Sequence, residues 1–107
     1  KIINLNNAAL GMVKQWQDMQ YGGRHSSSTY ENSLPDFVAL TESYGHVGIK
    51  VSEFDDLESA MKESIALKDK LVFLDVDVDP NEHVYPMLEA GNAMDHMWLD
   101  KDKKTWE

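Results

Sequence analysis

The sequence predicts an α/β fold, a three-layer sandwich built around a mainly parallel sheet. Strand-like apolar stretches alternate with stretches of helical spacing, in the order strand, helix, loop, helix, strand, helix, strand. Residues 71–78 begin as a continuous apolar run and then alternate, which is typical of a buried parallel strand. At 107 residues the chain is one domain at most.

The first strand is predicted over residues 1–5 and the first helix over about 10–20. The turn Asn6–Ala9 joins them, and Gly22 and Gly23 end the helix before a loop rich in Gly and Ser. Helical spacing places these side chains on one face: Leu10, Val13, Trp16 or Gln17, and Gln20. An aromatic residue on such a helix is usually part of a core, and the same holds for Met12.

A second helix is predicted to begin beside Pro35, which suits the first helical position. Ser33 would cap it and Asp36 would complete an S-x-x-D capping box. Gly45 ends this helix, and a short strand follows over residues 47–51.

The third helix is predicted over residues 54–67, where Ser52 and Asp55 repeat the capping pattern. Its apolar face would comprise Phe54, Leu57, Ala60, Met61 and Ile65. Beyond Pro80 the sequence is typical of a tail, in which residues 93–99 favour at most one turn of helix.

Composition excludes several classes of protein. The formal net charge is −9, a poor match for nucleic acid or an anionic membrane surface. The absence of cysteine excludes disulfides, thiolate catalysis and cysteine zinc sites. No apolar run approaches the roughly 20 residues of a membrane span, so a cytoplasmic domain is expected. The chain opens on a strand without an initiator Met, which predicts a piece of a longer polypeptide.

Asn6 and Asn7 lie where the first strand gives way to a helix. Ligands of open α/β sheets bind beyond the carboxyl ends of strands, and the amides at a helix start can hold phosphate. An asparagine oxygen is a hard, neutral ligand suited to Mg²⁺. The alternative is that the two asparagines form only a turn and a cap.

Two further patterns of possible metal ligands do not predict a metal site. Asp75, Asp77 and Asp79 resemble the start of a calcium loop, but Pro80 and Pro86 occupy the positions that require Gly and Glu. A solvated strand end is therefore expected there. The four histidines lack any metal-ligand spacing and are expected at the surface or in loops: His25, His46, His83 and His96.

Several runs resemble one family, the large catalytic subunit of acetolactate synthase, also called acetohydroxyacid synthase. They are L-N-N-A-A-L-G-M-V-K-Q-W-Q from residue 5, G-R-H-S from 23, L-P-D-F-V from 34, Y-G-H-V-G from 44 and E-H-V-Y-P-M from 82. The closing M-D-H-M-W-L resembles the bacterial, valine-sensitive type. The resemblance implies the C-terminal part of a thiamine-diphosphate-binding domain over residues 1–85 and a C-terminal tail over 86–107, which closes over the active site when cofactor is bound.

The resemblance also implies roles for individual residues. Asn7 would give Mg²⁺ its side-chain oxygen and Ala9 its backbone carbonyl, while the metal bridges the cofactor's diphosphate. Gly11 and Met12 would lie beside the cofactor, and Trp16 would shape the pocket for the acceptor 2-ketoacid. No catalytic residue falls in this stretch, because the activating Glu and a metal-binding Asp lie elsewhere in the family. The chain alone is therefore expected to be inactive.

The implied activity is the decarboxylative condensation of two pyruvates to 2-acetolactate, or of pyruvate and 2-ketobutyrate to 2-aceto-2-hydroxybutyrate. This transferase serves valine and isoleucine biosynthesis, as a homodimer of large subunits with a small regulatory subunit. FAD binds mainly to the family's middle domain and is not expected here. The alternatives are a non-catalytic module that binds an enzyme or regulatory subunit, and another thiamine-diphosphate decarboxylase or oxidase. The second is disfavoured because Trp16 lies within L-G-M-V-x-Q-W-Q.

Overall fold

A parallel sheet of three strands organises the chain in the computed structural model, which describes residues 1–30 and 32–105. β1 spans Ile2–Asn6, β2 spans Val47–Val51 and β3 spans Val72–Asp77. The strand order is β1-β3-β2, so β3 is central and pairs in parallel with both neighbours. The register places Asn4 and Lys50 on either side of Asp75. All three predicted strands are present.

One face of the sheet carries the apolar core. Because side chains alternate along a strand, the residues of β3 on this face are Val72, Leu74 and Val76, all buried. Helix α3, Leu57–Ala66, packs on them after a short 3₁₀ turn, Phe54–Asp56. The buried cluster and its apolar neighbours are Ile49, Val51, Leu57, Ala60, Met61, Leu74 and Val76.

The opposite face is covered by helix α2, Phe37–Ser43. The Phe37 ring stacks on Phe73 of β3, with centroids 5.4 Å apart and planes inclined by 13°. Helices therefore cover both faces of a parallel sheet, which confirms the predicted α/β sandwich.

Gly48 lets α2 approach β2 closely. A Cβ atom at this position would lie 2.6 Å from the Cα of Val38 and 2.9 Å from its carbonyl oxygen. We expect Gly48→Ala to lower the free energy of unfolding by about 1–3 kcal/mol, because backbone must move to admit the methyl group. Chemical denaturation measures this loss, and an unchanged midpoint would contradict the close packing.

The start of α2 differs from the prediction. Asp36, not Ser33, is the N-cap, and its carboxylate accepts a hydrogen bond from the Ala39 N–H at 3.0 Å. Pro35 precedes the cap instead of occupying the first helical position. A carboxylate at the cap accepts from the free amides of the first turn, so the helix begins one residue after it.

The apolar face predicted for α3 is only partly correct. Leu57, Ala60 and Met61 contact the core, but Phe54 and Ile65 are 86% and 64% exposed. Ser64 is buried together with Ala60, one turn away, because small side chains let the helix lie close to the sheet. The predicted capping role of Ser52 is wrong, since its hydroxyl donates to Asp77 at 2.8 Å.

The first helix, α1, spans Gly11–Gln20, as predicted, but buries a different face. Leu10, Met12 and Val13 are each almost half exposed, whereas Lys14 and Gln15 are buried. Both bond to the segment that follows β3, Lys14 to Asn81 at 3.1 Å and Gln15 to the backbone of Val84 at 2.9 and 3.0 Å.

The tail contains a small antiparallel pair of strands in place of the predicted turn of helix over 93–99. β4 spans Trp98–Asp100 and β5 spans Lys103–Lys104. The backbone of Trp98 also pairs with that of Met87, eleven residues earlier in the chain, a contact that local spacing does not indicate. Residues 106 and 107 of the tail lie outside the described residues. No helix in the described ranges is long and apolar enough to cross a membrane.

Candidate functional site

The candidate site lies where β1 and β3 end at the same edge of the sheet. The turn from Asn7 to Leu10 leads from β1 into α1, and together with the chain after β3 it encloses a cleft of about 440 Å³. Its lining residues are Asn6, Asn7, Ala8, Ala9, Lys14, Asp18, His25, Thr29, Asp77, Val78, Pro80 and Asn81. This edge is where parallel α/β sheets bind their ligands.

The two asparagines form consecutive local turns. Asn6 accepts the N–H of Ala8 at 3.0 Å, and Asn7 accepts the N–H of Ala9 at 3.1 Å. Ala8 adopts a left-handed φ of 50°, which reverses the chain before α1. The turn interpretation thus describes these side chains correctly, and it holds the Asn7 oxygen beside the Ala9 backbone.

The start of α1 fits a diphosphate held through a divalent cation. Leu10 is the N-cap residue, and its side chain makes no capping hydrogen bond to the first-turn amides. A Cβ on Gly11 would lie only 2.8 Å from Asn7 Nδ2, so the missing side chain leaves the space that the Asn7 amide occupies. An amide oxygen, a helix N-terminus and a glycine cradle are together a chemically suitable set.

A second polar cluster joins α1 to two other segments through Asp18. Lys14 donates to Asp18 at 2.9 Å, and His25 and His83 approach its two oxygens at 2.6 and 2.9 Å. Lys14 also reaches Asn81 at 3.1 Å. His83 lies in a loop, one of the two predicted placements, and its side chain is only 11% exposed because it packs onto this carboxylate.

The Asp18 carboxylate makes stability depend on acid. Burial opposes its ionisation, but the hydrogen bonds and charges of Lys14 and His25 outweigh burial and hold the Asp18 pKa below its ordinary 3.8. A lowered native pKa stabilises the fold above the ordinary value, and that stability is lost as the pH falls through the native pKa.

We therefore expect the free energy of unfolding to fall below about pH 4, and Asp18→Asn to flatten that fall. The measurement is denaturant unfolding at a series of pH values. Asp69→Asn, at an exposed position, is the matched control and should leave the acid limb unchanged. If the free energy of unfolding falls equally at low pH in Asp18→Asn and in the parent chain, Asp18 is not the source of the acid sensitivity.

The predicted solvated strand end is correct for Asp77 and Asp79, which are exposed, but wrong for Asp75. Asp75 is 3% exposed and accepts hydrogen bonds from Asn4 at 2.8 Å, Asn6 at 3.3 Å and Lys50 at 2.8 Å. Its burial follows from the central position of β3, with paired strands on both sides. Within residues 1–30 and 32–105, no group of three or more acidic or histidine side chains is arranged to hold a metal.

Lys50 bridges Asp75 to the neighbouring Asp77. Burial lowers the Lys50 pKa, but the two carboxylates outweigh it and raise that pKa above its ordinary value. Burial likewise opposes ionisation of Asp77, yet hydrogen bonds from Lys50 and Ser52 hold the Asp77 pKa below the ordinary value. Both groups are therefore held in their charged forms.

Trp16 lines a separate groove of about 510 Å³, farther along α1. The other described residues of this groove are Gln20, Tyr21, Glu89 and Ala90. Glu89 accepts a hydrogen bond from the indole N–H of Trp98 at 2.9 Å, which fixes its carboxylate in the tail. The groove therefore lies between α1 and the tail.

The structure brings some of the predicted site residues together and separates others. Asn7 and Ala9 line the cleft, and Gly11 packs against Asn7. Met12 is 47% exposed on the first turn of α1, and Trp16 faces the separate groove. A further set of polar residues beside the cleft and the groove was not predicted from the sequence, namely Lys14, Gln15, Asp18 and Glu89. Only the four-residue spacing of Lys14 and Asp18 could have indicated a pair.

Comparison with known proteins identifies the class. Residues 1–76 match the family described as thiamine pyrophosphate enzyme, C-terminal TPP binding domain. The match covers most of the chain, so the chain belongs to this family of cofactor-binding domains.

The chain is similar in particular to acetolactate synthase large subunits. It is 60% identical to the subunit of Haemophilus influenzae over 103 residues, covering 96% of this chain and 18% of that protein. It is 58% identical to the isozyme 3 large subunit of Escherichia coli, covering 97% of this chain and 18% of that protein. The subunit of Corynebacterium glutamicum is 38% identical over 96 residues. The chain thus spans about 18% of the length of the first two relatives.

Proposed function

We propose that this chain forms the C-terminal part of the thiamine-diphosphate-binding domain of an acetolactate synthase large subunit. The polypeptide that carries it, called here the complete subunit, would condense pyruvate with a second pyruvate or with 2-ketobutyrate. The observation that carries the proposal is the turn from Asn7 to Gly11, where the side-chain amide of Asn7 adjoins the glycine that opens α1. High identity to the large subunits supports the same activity.

Each residue of the proposed site has a defined task. Asn7 would hold Mg²⁺ through its side-chain oxygen and Ala9 through its carbonyl oxygen, so that the metal fixes a diphosphate at the start of α1. Gly11 would leave room for the Asn7 amide, and Met12 would adjoin the cofactor. When bound, thiamine diphosphate would supply the electron sink for decarboxylation.

Trp16 would bound the space for the acceptor ketoacid. Its rigid indole lies across a groove from Glu89 and Ala90, and a bulky wall limits the length of the group that the groove admits. The tail, residues 86–107, would cover the site, and residues 1–85 would form the domain itself. The complete subunit would bind FAD outside this chain. It would pair with a second large subunit and a small regulatory subunit, and it would act in the cytoplasm.

The test is the formation of acetolactate by the complete subunit from pyruvate, with thiamine diphosphate and Mg²⁺ added and then withheld. We expect turnover that disappears when a chelator removes the metal and returns with Mg²⁺. If no acetolactate forms with or without the cofactor, and the protein instead binds an enzyme or regulatory subunit tightly, a non-catalytic interaction module would be favoured.

A further inference from the structure

Gln15 is a buried amide on α1 that the proposed mechanism does not use. It is 1% exposed, and its side chain bonds to a segment 69 residues away. Its oxygen accepts the Val84 N–H at 2.9 Å, and its nitrogen donates to the Val84 carbonyl at 3.0 Å. The same nitrogen lies 3.0 Å from the sulfur of Met87. These contacts are called the Gln15 clamp.

The Gln15 clamp fixes both distance and orientation. A side-chain amide that satisfies the N–H and the C=O of one residue binds it as a neighbouring strand would. The clamp is buried on its Gln15 side, although Val84 itself is 61% exposed. Breaking the two bonds removes the partners of the Val84 N–H and C=O. The segment at Val84, which leads into the tail, is therefore held in one position against α1.

A short series of contacts connects the clamp to the Trp16 groove. The N–H groups of Met87 and Trp98 each donate to the other residue's carbonyl, both at 2.8 Å. The Trp98 indole holds Glu89, which lies across the groove from Trp16. Gln15 and Trp16 are adjacent in α1. Trp16 forms the side of the groove that belongs to the helix, and Gln15 holds the tail residues that form the opposite side.

We propose that Gln15 is a positioning residue that sets the width of the acceptor groove and thereby the choice between pyruvate and 2-ketobutyrate. The proposal rests on the proposed function. Gln15 touches neither substrate nor cofactor in it, and acts by fixing the distance between Trp16 and Glu89. The two acceptors differ by one methylene, a difference that an apolar pocket converts into about 10–200-fold selectivity.

Gln17 provides a matched comparison on the same helix. Its amide donates to the Ser26 carbonyl at 3.2 Å and accepts the Ser28 hydroxyl at 2.5 Å, so it binds the loop after α1 and not the tail. The same substitution at Gln15 and Gln17 therefore releases different segments.

The experiment compares Gln15→Met, Gln15→Glu and Gln17→Met in the complete subunit. With pyruvate and 2-ketobutyrate at equal concentration, we measure the ratio of 2-aceto-2-hydroxybutyrate to 2-acetolactate. We expect Gln15→Met to bring this ratio about 3- to 10-fold closer to one. Gln15→Glu keeps an acceptor for the Val84 N–H and should give a smaller shift. Gln17→Met should leave the ratio unchanged. A loss of stability alone would lower both products in proportion and leave their ratio as it was.

Hydrogen exchange at the Val84 amide provides a readout independent of activity. It should accelerate in Gln15→Met and stay slow in Gln17→Met, because only the first loses the acceptor. Faster exchange with an unchanged product ratio would overturn the positioning role, and unchanged exchange would overturn the clamp itself. A parent subunit that forms neither product would overturn the proposed function and the acceptor role together, while the exchange contrast would still confirm or refute the clamp.

Discussion

Replacing Asn7 with alanine is expected to weaken the binding of thiamine diphosphate and Mg²⁺ by the complete subunit at least about tenfold. The substitution removes the side-chain oxygen proposed to hold the metal, and it also removes the acceptor of the Ala9 N–H. The helix start would keep its amides, so some affinity for the diphosphate should remain. Calorimetric titration of the cofactor at fixed Mg²⁺ gives the change directly.

Asn92→Ala is the matched control for this measurement, because Asn92 is an exposed asparagine in the tail. Its cofactor affinity should equal that of the parent subunit. Equal affinity in Asn7→Ala and Asn92→Ala would place the metal at other residues and remove the basis for the proposed site.

The second large effect is expected at Asp75, the buried carboxylate of the central strand. Asp75→Ala removes the acceptor of three hydrogen bonds, from Asn4, Asn6 and Lys50. Partly buried donors that lose their acceptor cost about 1–3 kcal/mol. The Lys50 side chain is 42% exposed and retains Asp77, so it adds little to this cost, and we expect a total loss of about 1–3 kcal/mol.

Asp77→Ala is the control for Asp75→Ala, because both carboxylates bind Lys50 but the Asp77 side chain is 45% exposed. An exposed ion pair contributes about 1 kcal/mol or less, so this variant should be the milder one. Denaturant unfolding of both variants near neutral pH measures the difference. Equal losses would show that burial of Asp75 does not set the stability of the sheet.

The order of the elements could be predicted because it depends on local spacing. The three strands and α1 follow from alternation, apolar runs and turn residues within a few positions of each other. The start of α2 was displaced because Asp36 competes with Ser33 for the same cap, and the carboxylate accepts the bond. Ser33 and Asp36 are three residues apart, and the spacing alone does not specify which of them caps the helix.

Burial was harder to predict, because it depends on what packs against each element. Asp75 has the sequence context of a strand end, yet strands on both sides enclose it. Lys14 and Gln15 are polar, yet both are buried, because each bonds to the segment that follows β3. The strand pair of the tail depends on Met87 and Trp98 meeting, a contact absent from any local pattern.

Part of the candidate site could be located from the sequence, because strand ends bind ligands and the resemblance placed Asn7, Ala9 and Gly11 there. The residues that support it could not be found in this way. Gln15 and its partner Val84 are 69 residues apart, and Lys14 and Asn81 are 67 apart. Only the fold brings such pairs within hydrogen-bond distance.

The most direct test of the proposed cofactor site is a crystal structure of the complete subunit with thiamine diphosphate and Mg²⁺. We expect the metal at about 2.0–2.1 Å from the side-chain oxygen of Asn7 and from the carbonyl oxygen of Ala9, with the diphosphate at the start of α1. A metal bound to other groups, with Asn7 still bonded only to the Ala9 N–H, would contradict the proposal.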